Sequence, residues 1–279
     1  MTSCEVCAAD GVPIGYAGLL QCPACTHAWA DVSIGLDALR RLYQRSYFFG
    51  DEYGNYFEDR RIIEKNFSGR LSTLRRLMTG AHQRLLEIGC AYGFFLNAAR
   101  PSFESVQGID VSEDAVRFAK EDLGLDVTCG DFLEADLSNQ TFDVVCLWDT
   151  IEHLATPRRY LEKVSAHMPA GSLLAITTGD IGSFNARFQK GRWRLIHPPT
   201  HLHYFTKRSL AELLDRCGFD VIHVEHCGVY RSLAGMLQNV VALRWQWQRT
   251  GAWLQRLAPK HLDVYLNLYD IMYIVAKRR

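Results

Sequence analysis

Leu85-Leu86-Glu87-Ile88-Gly89-Cys90-Ala91-Tyr92-Gly93-Phe94-Phe95-Leu96 carries the decisive pattern of this chain. Residues 85–88 read as a strand. They run into a turn holding Gly89 and Gly93, and a helix is expected to open near Phe94. Glycines at such a turn let the backbone reverse tightly and approach a ligand closely. Outward from it, short apolar runs alternate with helical stretches. Strands are expected at 106–109, 125–128, 143–148 and 173–177, helices at 113–123 and 157–167, and two further strands at 220–225 and 270–276. This alternation predicts an α/β fold with a parallel sheet covered on both faces, whose ligands sit at the C-terminal ends of the strands.

The bulk composition narrows the classes. The chain has 279 residues, 48% hydrophobic and 22% charged, as a soluble globular protein of one large domain plus an appendage would. Its 31 basic and 31 acidic residues cancel, which argues against a dedicated nucleic-acid binder. Neither a secretory leader nor an apolar run of about 18 residues is visible, so a cytoplasmic location is expected. Nine cysteines divide unevenly: four form two close pairs, and Cys90, Cys129, Cys146, Cys217 and Cys227 are scattered singly. That scatter reads as reduced thiols, not as a disulfide framework.

The turn alone fits several nucleotide-binding enzymes. A second anchor follows at Gly108-Ile109-Asp110, where an apolar strand ends on a carboxylate suited to ribose hydroxyls. A dinucleotide site wants G-x-G-x-x-G, which brings backbone amides onto a pyrophosphate. Here Ala91 lies between Gly89 and Gly93, and Glu87 stands just before them. A carboxylate there would repel a pyrophosphate but suit a cationic amino-acid moiety.

On these residues the chain resembles the class I S-adenosylmethionine-dependent methyltransferases. Their first motif, E-x-G-x-G-x-G, is matched with Ala91 in place of the middle glycine. Gly130-Asp131-Phe132 resembles the segment that contacts the adenine, and residues 143–148 followed by Asp149-Thr150-Ile151-Glu152-His153-Leu154 resemble the fourth strand and its E-H ending. The resemblance covers roughly residues 80–230 plus a terminal strand. It implies a Rossmann-like sheet of seven strands, mostly parallel, with the last antiparallel. It also implies S-adenosylmethionine as cofactor, held by Glu87, Gly89, Cys90, Ala91, Gly93, Asp110, Val111, Asp131, Phe132 and Trp148.

Cys4-x-x-Cys7 and Cys22-x-x-Cys25, separated by 14 residues, offer four thiolates to one tetrahedral ion. Zinc is the default and a rubredoxin-type iron the alternative. Four protein ligands leave no open position, so the metal is expected to be structural. Residues 1–30 are accordingly read as a zinc ribbon, 31–80 as a helical linker or lid, and 81–279 as the methyltransferase domain. The linker carries Ile63, Phe67, Leu71, Leu74 and Leu77 at helical spacing and an aromatic crowd over 43–57. Within the large domain, 230–264 reads as a helical insert. Its stripe of Leu233, Met236, Leu237, Val240 and Val241, followed by Trp245, Trp247 and Trp253, would serve plain packing, an acceptor cover, an oligomer contact or a peripheral membrane contact.

Methyl transfer is an in-line displacement needing a held acceptor and often a base. Histidines are the candidates, because their free pKa lies near neutrality. His153 ends the fourth strand. A denser cluster, His197-Pro198-Pro199-Thr200-His201-Leu202-His203-Tyr204-Phe205, reads as a rigid polar turn before a helix at 209–217. It is similar to the E-H-x-x-Y-F segment of sugar C-methyltransferases, which also carry an N-terminal zinc ribbon and use that histidine as base. His201 falls on it, with Thr200 replacing the glutamate. The catalytic candidates are thus His153, His201, His203 and Tyr204. A metal held by these histidines is disfavoured, since no matching carboxylate stands nearby in the sequence. The expected activity is O- or C-methylation of a small molecule such as a sugar, glycolipid precursor or specialised metabolite. The alternatives are an RNA methyltransferase that uses the ribbon for recognition, and a non-catalytic cofactor-binding scaffold with a protein-binding ribbon.

Overall fold

In the computed structural model, residues 3–16, 18–32, 60–78, 83–232 and 263–279 are described. The N-terminal segment forms three short strands, β1 (Val12–Pro13), β2 (Leu19–Gln21) and β3 (Ala28–Ala30), before the long helix α1 (Arg60–Leu77). Then come β4 (Arg84–Ile88), α2 (Phe94–Ala99), β5 (Ser105–Asp110), α3 (Glu113–Glu121), β6 (Asp126–Cys129), β7 (Val144–Trp148), α4 (Pro157–Ala166) and β8 (Leu173–Gly179). The chain continues through α5 (Phe184–Gln189), β9 (His203–Tyr204), α6 (Lys207–Arg216), β10 (Phe219–His226), β11 (Val229–Ser232), β12 (Asp263–Leu266) and β13 (Ile271–Arg278).

Seven strands make one sheet in the order β10-β13-β8-β7-β4-β5-β6. β4, β5, β6, β7 and β8 run parallel, and β13 enters antiparallel between β8 and β10. Burial follows position. The central strands β4, β7 and β8 are buried on both faces, as strands covered by helices on each side must be, whereas the edge strand β6 buries only Val127. One face packs Leu86, Ile88, Val145 and Leu147 against Leu161 and Val164 of α4 and Leu210 and Leu213 of α6. The other packs Leu85 and Val144 against Leu71 and Leu74 of α1 and Phe95 and Leu96 of α2. The chain leaves β4 for β5 on one side and returns to β7 on the other, so the crevice between strand ends opens at β4 and β7.

Two elements differ from the sequence expectation. The His197–Phe205 turn contains a strand: β9 pairs antiparallel with β3 and closes the N-terminal strands into a four-stranded sheet, β1-β2-β3-β9. Trp29 and Val6 therefore share one buried cluster with Phe205, Leu210 and Leu213. Second, the two ends of the segment expected to be a helical insert form an antiparallel pair, β11 with β12. The stripe of Leu233, Met236, Leu237, Val240 and Val241, the tryptophans Trp245, Trp247 and Trp253, and the aromatic crowd over 43–57 all lie outside the described residues. Among the described residues no helix is long and apolar enough to cross a membrane.

Candidate active site

The glycine turn is tied to the neighbouring strand by its own backbone. Gly89 and Cys90 donate to the Ile109 carbonyl at 2.8 and 3.3 Å, and the Ala91 amide donates to Asp110 Oδ2 at 2.7 Å. The other Asp110 oxygen takes the Ser112 amide at 2.9 Å, and the Val111 amide also bears on the carboxylate. Burial pushes the Asp110 carboxyl above its ordinary range, with these amides pulling the other way. Gly89 has φ +77°, and a Cβ there would stand 2.6 Å from Thr150 Oγ1, so both backbone and space demand glycine. Ala91, also in the left-handed region at φ 45°, fills the place of the motif's middle glycine. The Cys90 side chain is buried and packs beside Gly108. Val111 is half-buried at the end of β5, and Gly93 is left-handed at the start of α2.

Glu87 is 2% exposed, and its Oε2 has no hydrogen-bond partner among the described residues. Burial, with the Asp110 charge second, holds its carboxyl well above the usual range, while Arg70 pulls it down. Cys146 is the register partner of Glu87, so Trp148 stands one step along β7 on the same face. The Trp148 ring is wedged against Phe95, Tyr273 and the Arg70 guanidinium, and its Nε1 also lacks a partner among the described residues. Two unsatisfied buried polar atoms on adjacent central strands, facing one crevice, are what a ligand bearing donors and acceptors would satisfy.

Asp131 and Phe132 meet different fates. Asp131 Oδ1 accepts from the Leu133 amide at 2.8 Å and the Tyr160 hydroxyl at 2.5 Å. The Phe132 ring is 2% exposed, stacks on Tyr160 at 5.9 Å and lies under Lys163, so it belongs to the core and offers no open face. Lys163 Nζ pins this loop by donating to the carbonyls of Phe132, Leu133 and Ala135.

Past β7 the chain makes one 3-10 turn, Ile151–His153, and here the histidine segment arrives. His153 Nδ1 lies 2.9 Å from the Thr200 carbonyl and His201 Nδ1 2.9 Å from the Leu195 carbonyl. A carbonyl only accepts, so both rings donate from Nδ1. The rings of His153 and His201 meet edge to face at 4.5 Å, and His197 tilts over His201 at 3.8 Å. Burial drops the His153 pKa to about 4 and takes His201 well below its ordinary value, the neighbouring histidines adding to the fall. Glu152 lies beside them, 4% exposed with Oε2 unpartnered among the described residues, and burial together with Asp149 raises its carboxyl to about 8. Glu152, His153 and His201 bring one ligand atom each within 4.8 Å of one another.

The other two catalytic candidates, His203 and Tyr204, are buried. His203 is 1% exposed, with Nδ1 3.0 Å from His27 Nε2 and its ring against His27 and Phe205. The Tyr204 hydroxyl donates to the His201 carbonyl at 3.0 Å, and burial raises its pKa far above the phenol range. Pairing with β3 turns His203 toward the ribbon, so both residues brace the segment that presents His201. Sequence reasoning also missed Arg70, which donates to Asp149 Oδ2 at 2.8 Å and faces Trp148 from α1. The signal was present: Arg70 is a cation on the apolar stripe between Phe67 and Leu74.

In the ribbon, Cys4 Sγ lies 3.4 Å from Cys25 Sγ, and Cys7 Sγ 3.4 Å from Cys22 Sγ, all four within 4.8 Å of one another. Zinc–sulfur bonds of about 2.3 Å place tetrahedral sulfurs roughly 3.8 Å apart, so the donor set fits one ion. Burial lifts the Cys4 thiol to about 11, a cost that a bound cation would reverse.

A mostly parallel seven-stranded sheet, with a glycine turn after its central strand and an acid closing the next, defines a class I methyltransferase scaffold. The family model of a methyltransferase domain matches residues 57–224, and the chain belongs to that family of S-adenosylmethionine-dependent methyltransferases. It is 25% identical over 114 residues to a ubiquinone biosynthesis O-methyltransferase of Coxiella burnetii, covering 39% of this chain and 49% of the relative. A namesake from Cereibacter sphaeroides is 26% identical over 175 residues, covering 59% of this chain and 66% of the relative. The chain thus spans about half the length of the first of these curated relatives. Among solved structures, the magnesium protoporphyrin IX methyltransferase of Synechocystis PCC 6803, crystallised with S-adenosylhomocysteine, superposes with a TM-score of 0.55. That match has 13% identity and covers 87% of this chain and 99% of that one. An S-adenosylmethionine-dependent methyltransferase from Thermotoga maritima gives a TM-score of 0.53 at 19% identity, over 83% and 96% of the two chains.

Proposed function

We propose that the protein transfers the methyl group of S-adenosylmethionine to an oxygen of a small-molecule acceptor. The observation that carries this is the pair of orphaned polar atoms, Glu87 Oε2 and Trp148 Nε1, in the crevice flanked by the glycine turn and Asp110. Glu87 suits the cationic amino group of the amino-acid moiety, and the Asp110 carboxylate suits ribose hydroxyls. The Asp131 loop, pinned by Lys163, would border the adenine through its backbone, because the Phe132 ring is buried. The cofactor supplies an electrophilic methyl on a sulfonium. The protein's part is to hold the acceptor in line, exclude water and accept its proton.

His153 and His201 are the candidate proton acceptors, since burial keeps both rings neutral and they meet edge to face just beyond β7. Oxygen is favoured as acceptor by the relatives named for O-methylation and by the missing glutamate at Thr200, where C-methyltransferases carry one. A small molecule is favoured over RNA by the zero net charge. The Cys4, Cys7, Cys22, Cys25 ribbon holds a structural ion, with zinc the best match to four thiolates. Calorimetric titration with S-adenosylhomocysteine tests the cofactor assignment: one equivalent should bind, and no heat at millimolar ligand would overturn it.

A further inference from the structure

β13 begins at the edge of the sheet where β7 and β8 end, and the residue just before it is a buried acid. Asp270 is 1% exposed, and three donors from one segment converge on it. Its Oδ2 accepts from Asn185 Nδ2 at 2.7 Å and from Trp193 Nε1 at 2.9 Å, and its Oδ1 from the Arg194 guanidinium at 2.9 Å. Arg194 balances a charge that burial would otherwise make costly. The segment is also pressed onto the sheet. A Cβ at Gly179 of β8 would stand 2.7 Å from Leu195 Cδ1 and 3.0 Å from Trp193 Cη2. The Leu195 carbonyl, one residue past Arg194, is the group that accepts from His201 Nδ1 at 2.9 Å.

We propose that Asp270 is a positioning residue that sets the tautomer of His201, acting through Trp193 and Arg194, which place the Leu195 carbonyl. Which imidazole nitrogen carries the proton is decided by the hydrogen bond the ring finds. The Leu195 carbonyl offers that bond to Nδ1 only while the segment carrying it is fixed. A second link is electrostatic. After burial and the His153 and His197 rings, the Arg194 cation also lowers the His201 pKa, and Asp270 holds that cation in place. The backbone of His201 is held independently, because the Tyr204 hydroxyl of β9 donates to its carbonyl at 3.0 Å. Asp270 therefore governs the ring. The consequence for turnover rests on the function proposed above. In that transfer the acceptor hydroxyl gives its proton to His201 Nε2, its oxygen lone pair forms the C–O bond, and the S–C bonding pair stays on sulfur as the sulfonium becomes a thioether. A ring protonated at Nε2 could not take that proton there.

The test uses the full-length protein. Nitrogen NMR of the imidazole rings reads the tautomer directly, with the His201 signals assigned by their loss in His201→Asn. The wild type should show His201 protonated at Nδ1 alone. Asp270→Asn should move it to a mixture of tautomers or to Nε2–H. The same variant should lower turnover about 10- to 100-fold, as a slightly misplaced group does, with S-adenosylhomocysteine affinity within a few-fold of wild type. Trp193→Phe combined with Asn185→Ala removes two of the three donors, keeps the pairing with Arg194 and should act in the same direction. Phe188→Ala, 78% exposed on the same segment, should leave the tautomer as it was. A wild-type ring protonated at Nε2, or an unchanged His201 signal in the folded variants, would overturn the proposal. Should Asp270→Asn misfold, the double variant decides. A shifted tautomer with wild-type turnover would uphold the role of Asp270 and sink only the reading of His201 as proton acceptor.

Discussion

The two sides of the crevice are held together differently. On the cofactor side the contacts are short in sequence, as where the Ala91 amide meets Asp110 across 19 residues. On the acceptor side they span 47 residues from His153 to Thr200, 79 from Arg70 to Asp149 and 176 from His27 to His203. One side is a strand-turn-helix unit that its own glycines shape. The other exists only after the ribbon, the first helix and the histidine segment have converged. Two hydrogen bonds carry that dependence directly: the Ala30 amide of the ribbon donates to the Leu202 carbonyl at 2.9 Å, and the Leu202 amide donates to the Glu152 carbonyl at 2.8 Å. The acceptor side should therefore be more easily disturbed, and from farther away.

The harshest way to break the comparison is to disrupt the four-cysteine site proposed to hold an ion. Cys25→Ser leaves three ligands in a core that includes Trp29, Phe205 and Leu210. A loss on the order of 4 kcal/mol, or about 10 °C in Tm, is expected. Below the lowered Tm, methyl transfer should fall much further than S-adenosylhomocysteine affinity. Equal losses in both would show that the two sides are not mechanically distinct. Less severe is His201→Asn, which keeps a polar side chain in the segment. Turnover should drop by about 10²–10⁴-fold, the range for a lost acid–base or positioning group, with cofactor affinity within a few-fold of wild type. Unchanged turnover would remove His201 from the chemistry.

Glu87→Gln probes the cofactor side in isolation. Losing a charge-assisted bond of about 1.5–3 kcal/mol should weaken S-adenosylhomocysteine binding roughly 10- to 100-fold. Protons report the same residue. Its folded pKa is raised by burial, so the stability it contributes is full below the ordinary carboxylate pKa and is lost as pH rises through the folded value. A cationic amino group in the crevice would pull that pKa down, and binding should release a proton. Calorimetry in phosphate and in Tris should then give different apparent enthalpies, and Glu87→Gln should abolish the difference. Equal enthalpies for the wild type would place the amino group elsewhere.

Legibility in the sequence tracks the same division. The strands of the sheet, the antiparallel β13 and the glycine turn were readable because apolar runs, glycines and strand-end acids encode them within a few residues. The acceptor side was only half readable. His153 and His201 were singled out, but Glu152 was passed over as a partner for them because 49 positions separate it from His201 (201 minus 152). His203 and Tyr204 were grouped with the catalytic candidates because nothing local shows that β9 pairs with β3, which hides both against the ribbon. Phe132 was assigned to the adenine on its position in a motif, while Tyr160 and Lys163, which bury it, come from α4.

The mildest test concerns Ala91, where this chain departs from the glycine of its motif. The residue adopts φ 45°, a region that costs an L-residue about 1–2 kcal/mol over glycine. Restoring glycine relieves that strain, yet it also loosens the unfolded chain by about 0.4–1 kcal/mol. The net gain for Ala91→Gly should be near 1 kcal/mol or less, read as a rise of roughly 2–3 °C in Tm. The Ala91 amide would still meet Asp110, so cofactor affinity should stay level. A fall in stability would mean that the alanine methyl packs usefully beside Tyr92 and Phe94, whose cluster it borders, and that the departure was selected for packing at the turn.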